Sequence, residues 1–129
     1  MHQLDTNIVI AYLNGNQDIA AQLKARLPDV EISAIVFAEL LYGARLSAKS
    51  ERNLEKLEAL AQLIGVAPFD AVSAAAYARL RMALRAKGRP TGEVDALIAA
   101  VALARQAVFV THNTRHFEHI DGLQIEDWL

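Results

Sequence analysis

Short apolar runs alternate along the chain with longer stretches in which apolar residues recur at helical spacing. Short runs are typical of strands, and a pattern of i, i+3 and i+4 is typical of amphipathic helices. We expect strands near residues 3–4, 30–32, 66–69, 107–110 and 123–125, and helices over residues 7–13, 18–27, 34–46, 49–63, 71–87 and 93–106, with a short helix within 111–117. Strands separated by helices pair in parallel, so the pattern predicts an α/β fold: a three-layer α/β/α sandwich with a short, mostly parallel sheet of about five strands.

Local signals set several of these boundaries. Ser33 and Asp70 are expected N-caps, because a short polar side chain there accepts a hydrogen bond from the first helical turn. Gly88 stands just past the predicted end of the long helix, where glycine commonly terminates helices. Pro68 indicates that the third strand is short or lies at the edge of the sheet, since proline has no N–H to donate. Residues 89–92 are expected to form a loop.

Composition restricts the class of protein. The chain has 129 residues, of which 53% are apolar, so we expect one domain over residues 1–129. No apolar run reaches the roughly 18 residues that cross a bilayer, and no signal peptide is expected. The absence of cysteine favours a cytoplasmic protein. The net charge of −2 argues against a surface that is basic throughout, although a local basic patch is compatible with it.

Three acids stand alone in apolar segments. Asp5 is the only formally charged side chain between Met1 and Gln17, and it follows the first predicted strand. Glu39 and Asp95 are isolated in the same way, each within a predicted helix. If the three carboxylates converge, each raises the pKa of the others and a cation is needed to make the cluster tolerable. Oxygen ligands favour Mg²⁺, with Mn²⁺ as a substitute.

Each acid also has a simpler explanation. Asp5 can cap the helix that follows the first strand. Glu39 can pair with an arginine such as Arg45. Asp95 can serve the first turn of its helix, where acids interact favourably with the helix dipole.

Several ordered motifs together resemble the PIN-domain ribonucleases, and more narrowly the VapC toxins of bacterial toxin–antitoxin modules. The matching segments are Leu4-Asp5-Thr6-Asn7, the stretch from Ser33 through Glu39-Leu40 to Tyr42-Gly43, Asp95-Ala96-Leu97-Ile98-Ala99-Ala100, Val110-Thr111-His112-Asn113-Thr114-Arg115-His116-Phe117, Gly122-Leu123 and Trp128. The resemblance implies that Asp5, Glu39 and Asp95 are the catalytic, metal-binding acids. It also implies that Asn7 and Thr111 order the site.

The chain departs from the family pattern after the fourth strand. The family often has a fourth acid there, where this sequence has Asn113 or His116. Asn113 can still act as a catalytic residue, by ligating through its carbonyl group or by holding a water, but it adds no charge. We therefore expect one tightly held metal ion. His112 and His116 are expected at the surface, with a role for His116 in proton transfer or phosphate contact as the alternative.

A basic segment precedes Asp95. Arg85, Lys87 and Arg89, together with Arg115, are candidate RNA-binding residues, since a basic rim beside an acidic metal centre suits a phosphate backbone. An ordinary solvated helix face is the alternative, and it is favoured for Arg79. The resemblance implies a structured RNA substrate, most often a transfer RNA.

The sequence thus predicts a Mg²⁺-dependent endoribonuclease that inhibits translation and is held in check by an antitoxin. The alternatives are a PIN-fold nuclease that acts on DNA or in RNA processing without an antitoxin, and a weakly active RNA-binding protein.

Two protein-binding surfaces are also expected. A homodimer is predicted from surplus apolar residues on the helices of residues 34–64, namely Phe37, Leu41, Tyr42, Leu46, Leu57 and Leu60. The antitoxin, in a toxin–antitoxin hetero-oligomer, is expected to use an apolar groove formed by the first two helices and the helix after Glu51. The alternative is that the segment around Trp128 fills that groove.

Overall fold

Strands and helices alternate along the chain, as predicted. The computed structural model describes residues 1–89 and 91–129, so Pro90 of the predicted loop lies outside the described residues. The elements are β1 (His2–Leu4), α1 (Thr6–Leu13), α2 (Gln17–Arg26), β2 (Val30–Ser33), α3 (Ala34–Leu46), α4 (Ser50–Ile64), β3 (Val66–Ala67), α5 (Ala71–Ala86), α6 (Glu93–Ala104), β4 (Val108–Val110), α7 (Thr114–Phe117) and β5 (Ile125–Glu126).

The sheet has five strands in the order β3-β2-β1-β4-β5, and every neighbouring pair is parallel. Helices flank it, so the predicted α/β/α sandwich is confirmed. The chain runs outward from β1 through β2 to β3 and then crosses back to β4 on the other side of β1. This reversal is a topological switch point, the place where open α/β sheets bind their ligands. Leu4 is in register with Val110, so the residues that follow these two strands are neighbours.

The local signals mostly act as predicted. The Ser33 hydroxyl accepts from the N–H of Val36 at 3.1 Å, and Asp70 accepts from the N–H of Ser73 at 3.0 Å. Gly88 has a φ of +65° directly after α5. β3 is a two-residue edge strand, as Pro68 indicates.

The last strand lies later than its apolar pattern suggested. It spans Ile125–Glu126 instead of residues 123–125, because pairing with β4 places Ile125 beside Phe109. The position of a strand at the edge of a sheet thus depends on its partner more than on its own sequence.

The hydrophobic core fixes α6 and packs β4 against α7. Helix α6 is almost completely buried from Ala96 through Ala102, which explains its nearly continuous apolar sequence. Phe109 on β4 packs against Phe117 on α7 with ring centroids 4.7 Å apart. Helix α6 from Ala96 onward and the segment after β4 are therefore both anchored in the core.

A partly buried ion pair between Glu31 and Arg105 ties β2 to the end of α6. Glu31 is 5% exposed and accepts hydrogen bonds from Gln3 Nε2 at 2.6 Å and from Arg105 Nη2 at 2.8 Å. A buried carboxylate needs such partners. This pair is not evident from the sequence, because its members are 74 positions apart.

The predicted dimer surface is only partly exposed. Leu57 and Leu60 of α4 are buried at 1% and 3% exposure, so assigning them to a surplus apolar surface was wrong. They form part of the hydrophobic core, and α4 packs against α3. Tyr42 and Leu46 are exposed at 68% and 69%.

Among the described residues, no helix combines the length and the apolar character that crossing a lipid bilayer requires.

Candidate active site

Asp5 is placed where β1 meets α1. Its N–H donates to the carbonyl oxygen of Val110 at 2.9 Å, which continues the contact between β1 and β4 by one residue. It is the N-cap of α1, and its Oδ1 accepts from the N–H of Thr6 at 2.8 Å. For Asp5, helix capping was considered as an alternative to a role in the site. Asp5 is both the N-cap of α1 and located at the switch point.

The second oxygen of Asp5 is held by two side chains. Thr111, which is fully buried, donates its hydroxyl to Oδ2 at 2.7 Å, and Asn7 donates Nδ2 to the same atom at 3.1 Å. Asn7 also accepts from the N–H of His112 at 3.0 Å. These bonds link α1 to the turn after β4 and orient the carboxylate.

Burial dominates the electrostatics of Asp5. Asp5 is only 5% exposed. Its burial disfavours the charged carboxylate and so raises the pKa of Asp5 above its ordinary value. Hydrogen bonds from Thr111 and Thr6 act in the opposite direction, and the charge of Asp95 raises the pKa further. The charges of Asp5 and Asp95 therefore interact.

Asp95 lies in the first turn of α6, as expected for an acid that interacts with the helix dipole. Its side chain is 32% exposed, and its Oδ2 lies 3.2 Å from Nδ1 of His116 on α7. A histidine thus stands beside this acid at one of the two positions where the family often has a fourth acid.

Glu39 is exposed on α3, so the apolar setting inferred for all three acids was correct only for Asp5. Helical periodicity turns Leu40 inward and leaves Glu39 on the outer side. Its Oε1 accepts from the hydroxyl of Thr6 at 2.8 Å. The N–H of Thr6 binds Asp5 and the hydroxyl of Thr6 binds Glu39, so Thr6 joins the two acids. Thr6 belongs to the first sequence motif, but this role was not predicted. The ion pairs found among the described residues do not include one between Glu39 and Arg45.

Asn113 and His112 are both exposed in the turn after β4. Asn113 occupies the N-cap position of α7, and its N–H donates to the Thr111 hydroxyl at 3.0 Å. His112 lies 3.0 Å from a carboxylate oxygen of Asp127. Neither side chain is among those bonded to Asp5.

The basic residues fall into separate places. Arg89 and Arg115 line a surface cleft together with Asp95 and His116. Arg85 lines a neighbouring cavity that also includes Arg89. Lys87 does not line either of these cavities; its ammonium group lies 2.6 Å from Oδ1 of Asp121.

The carboxylate oxygens of Asp5 and Asp95 are the type of ligand that suits a hard divalent cation. Asp5 accepts three hydrogen bonds in all, and an ionised carboxylate offers about four lone-pair sites, so one remains. In residues 1–89 and 91–129, no group of three or more His, Cys, Asp or Glu side chains is placed to hold a metal ion together. Mg²⁺ is usually held by one or two carboxylates and several waters. Asp5 and Asp95 fit that mode better than a cage of three acids.

Two cavities between α1, α3 and α4 share Leu13 and Lys56 and are together called the apolar groove. One cavity is also lined by Thr6, Glu39, Ile10, Leu40 and Gly43, and the other by Ala59 and Leu63.

One detail of the predicted groove was wrong. Helix α2 contributes no lining residue, since its apolar residues Ile19 and Leu23 are buried. The alternative, in which Trp128 fills the groove, does not hold, because Trp128 packs near His2 and under the guanidinium of Arg26.

This fold, with carboxylates at the switch point, defines an α/β protein of the PIN type. Residues 3–123 match the PIN domain, and the chain belongs to the PIN domain family. The chain is 38% identical over 126 residues, 97% of this chain and 96% of the relative, to the tRNA(fMet)-specific endonuclease VapC of Shigella flexneri. It is 37% identical over 131 residues, 99% and 98% of the two chains, to ribonuclease VapC2 of Rickettsia felis.

The similarity extends to solved structures. VapBC2 from Rickettsia felis, crystallised with a DNA fragment from its promoter, contains a chain that matches with a TM-score of 0.93 at 34% identity, over 99% of this chain and 98% of that one. VapBC from Salmonella typhimurium, also bound to DNA, matches with a TM-score of 0.94 at 36% identity and the same coverage. The VapC resemblance of the sequence is thereby confirmed.

The raised pKa of Asp5 predicts a distinctive pH dependence of stability. Because the folded state binds the proton more tightly than the unfolded state, wild-type stability falls as pH rises from the ordinary value of 3.8 through the folded pKa. Asp5→Asn has no such titration, so its free energy of unfolding should rise relative to wild type as the pH increases from about 4 through the folded pKa of Asp5. Urea unfolding in a chelator measures this, with exposed Asp29→Asn as the control. Parallel profiles for wild type and Asp5→Asn would contradict the effect of burial.

Proposed function

We propose that this protein is a Mg²⁺-dependent endoribonuclease that acts as the toxin of a toxin–antitoxin module and cleaves structured RNA, a transfer RNA in particular, to inhibit translation. The observation that carries the proposal is the oriented, buried carboxylate of Asp5 at the switch point, whose pKa the charge of Asp95 helps to raise. Similarity to a tRNA(fMet)-specific endonuclease over nearly the whole chain supports the substrate class.

Asp5 and Asp95 would hold the metal ion, with Glu39 contributing at the edge of the site through a water. When bound, Mg²⁺ neutralises charge on a phosphodiester and lowers the pKa of a coordinated water. The residues of this chain supply orientation: Thr111 and Asn7 keep Oδ2 of Asp5 in one place, and Thr6 aligns Asp5 with Glu39. Asn113 and His116, instead of an acid, would meet the water or the phosphate.

The cleft of Arg89 and Arg115 would bind the phosphate backbone next to the cleavage site. Arg85 would extend this contact along α5. Lys87 is a weaker candidate than the sequence suggested, because RNA would have to displace Asp121 from its ammonium group. Sequence-specific RNA recognition generally targets exposed loops, whose unstacked bases are accessible.

An antitoxin would inhibit the enzyme from the apolar groove. An amphipathic helix laid between α1, α3 and α4 would reach Thr6 and Glu39 at the end of the groove. From there an arginine could pair with the carboxylates and exclude both metal and RNA. The similarity to chains in VapBC complexes supports such a partner and a toxin–antitoxin hetero-oligomer. The homodimer stays a prediction, now centred on Tyr42 and Leu46.

One observation favours a second candidate function. The turn after β4 offers Asn113 and His116 where the family often has an acid, and a weaker metal site would suit an RNA-binding protein of low activity. A PIN-fold processing nuclease without an antitoxin is less favoured, because the chain resembles members of toxin–antitoxin complexes over its full length.

The acid centre can be tested by amide substitution. Asp5→Asn and Asp95→Asn should each reduce RNA cleavage at least about a hundredfold, since each removes one of the charges that hold the cation. Wild type should cleave with Mg²⁺ or Mn²⁺ and lose activity in a chelator, while Asp29→Asn cleaves normally. Full activity of Asp5→Asn would refute the proposal, and metal-independent binding without cleavage by wild type would favour the second candidate.

The basic cleft predicts a salt-dependent loss of RNA affinity. In the catalytically inactive Asp5→Asn background, Arg89→Ala and Arg115→Ala should each weaken the binding of RNA. Each should also lower the magnitude of the slope of log K against log salt by about 0.7 to 1. Binding isotherms over a series of salt concentrations measure the slope. Arg52→Ala, at an exposed arginine of α4, is the matched control. An unchanged slope in both variants would place the RNA elsewhere.

The groove predicts a separation of inhibition from activity. Ala59 is exposed on α4 at the end of the groove away from Glu39, so Ala59→Glu should leave RNA cleavage intact. Ala59→Glu should weaken inhibition by the co-expressed antitoxin about tenfold or more, because the carboxylate of the new glutamate would be buried against the apolar face of the antitoxin helix. Ala75→Glu on α5 is the control. If Ala59→Glu is inhibited like wild type, the partner does not use this groove.

A further inference from the structure

The segment that follows α7 contacts both sides of the connection between α5 and α6. Nε2 of His119 lies 2.7 Å from the hydroxyl of Thr91, which stands two residues before α6. The carbonyl oxygen of His119 accepts from the ammonium group of Lys87 at 3.3 Å, and Lys87 is the C-cap of α5. These contacts hold the chain at residues 87 and 91, on the way from α5 to Asp95.

The two contacts are of unequal weight. The pair of Lys87 and Asp121 is exposed, with side chains 39% and 74% accessible, and exposed ion pairs contribute little to stability. The contact between His119 and Thr91 is partly buried, and Nδ1 of His119 is fully buried with no hydrogen-bond partner among the described residues. A buried N–H without an acceptor is costly, which favours the tautomer in which Nε2 carries the hydrogen and donates to Thr91.

This bond lies at the edge of the proposed site. Thr91 and His119 line the same cleft as Asp95, Arg115 and His116. Asp95 lies in the first turn of α6, four residues after Thr91, and Nδ1 of His116 on α7 lies 3.2 Å from its Oδ2. A change in the position of Thr91 would therefore be transmitted to the first turn of α6, whose later turns are fixed in the core.

We propose that His119 is a positioning residue for the nuclease: through its hydrogen bond to Thr91 it fixes the segment before α6 and so places the carboxylate of Asp95 relative to Asp5. The inference rests on the proposed function. His119 acts on the geometry of the acid centre and not on RNA affinity, so its loss should lower kcat and leave KM nearly unchanged. Misplacement of a reacting group by about 1 Å can cost on the order of a hundredfold in rate.

Conservative substitutions separate this role from simple packing. Gln places an amide nitrogen near the position of Nε2 and can donate to Thr91, whereas Asn is too short to reach it. His119→Gln should retain kcat within about threefold of wild type, while His119→Asn and Thr91→Ala should lower it about tenfold or more. Thr91→Ser keeps the hydroxyl and should restore kcat. Asp121→Asn weakens only the exposed pair and is the control.

Two further measurements complete the test. The double variant Thr91→Ala/His119→Asn should lose no more activity than either single variant, because both remove the same bond. Mn²⁺ binding, followed by electron paramagnetic resonance without RNA, should weaken about fivefold or more in His119→Asn and not in His119→Gln. Equal kcat in wild type, His119→Asn and Thr91→Ala would overturn the inference, as would a loss confined to KM or additive losses.

Failure of the inference differs from failure of the proposed function. If wild type cleaves RNA and the Thr91 and His119 variants cleave equally well, only the inference fails. If wild type does not cleave RNA, the proposed function fails, and hydrogen exchange at the amide of Ala96, which donates to the carbonyl oxygen of Gly92 at 2.9 Å, still tests the positioning. Faster exchange in His119→Asn and Thr91→Ala, but not in His119→Gln, would support the bond as the anchor, and unchanged exchange would refute it.

Discussion

The structure depends on keeping one carboxylate, that of Asp5, in a site with almost no access to water. An ionised group there is stable only if donors satisfy it. Its three donors come from the start of α1 and from Thr111 at the end of β4, segments more than 100 positions apart. That arrangement exists only because β1 and β4 are parallel neighbours with Leu4 beside Val110. Strand order and site geometry are therefore one constraint.

Burial and hydrogen bonding act against each other at Asp5, and burial prevails, since the pKa of Asp5 is raised despite three donors. A positive charge beside Asp5 and Asp95 would relieve both the desolvation of one acid and the repulsion between the two. The almost completely buried α6 then matters for function as well as for stability, because a helix anchored in the core holds Asp95 against that repulsion.

The chain has the fold of the PIN family, and two contacts shape the surroundings of Asp5 and Asp95 within it. A histidine, His116, meets Asp95 in the turn region where the family often has an acid. Thr6 connects the exposed Glu39 to the buried Asp5. Solvent exposure therefore increases across the site, from the buried, oriented carboxylate of Asp5 to exposed polar groups such as Glu39 and His116.

The sequence by itself determined the order of strands and helices, the caps at Ser33 and Asp70, and Asp5 as an acid without a nearby charge. These properties are local: periodicity and capping depend on neighbours within a few positions. Only the tertiary structure decided that Glu39 is exposed, that Leu57 and Leu60 are buried, and that Arg105 reaches Glu31. It also decided which arginines share a cleft with Asp95. Which face of a helix is covered, and which distant side chains meet, follows from the strand order and the packing of helices on the sheet, and these are set by the whole chain at once.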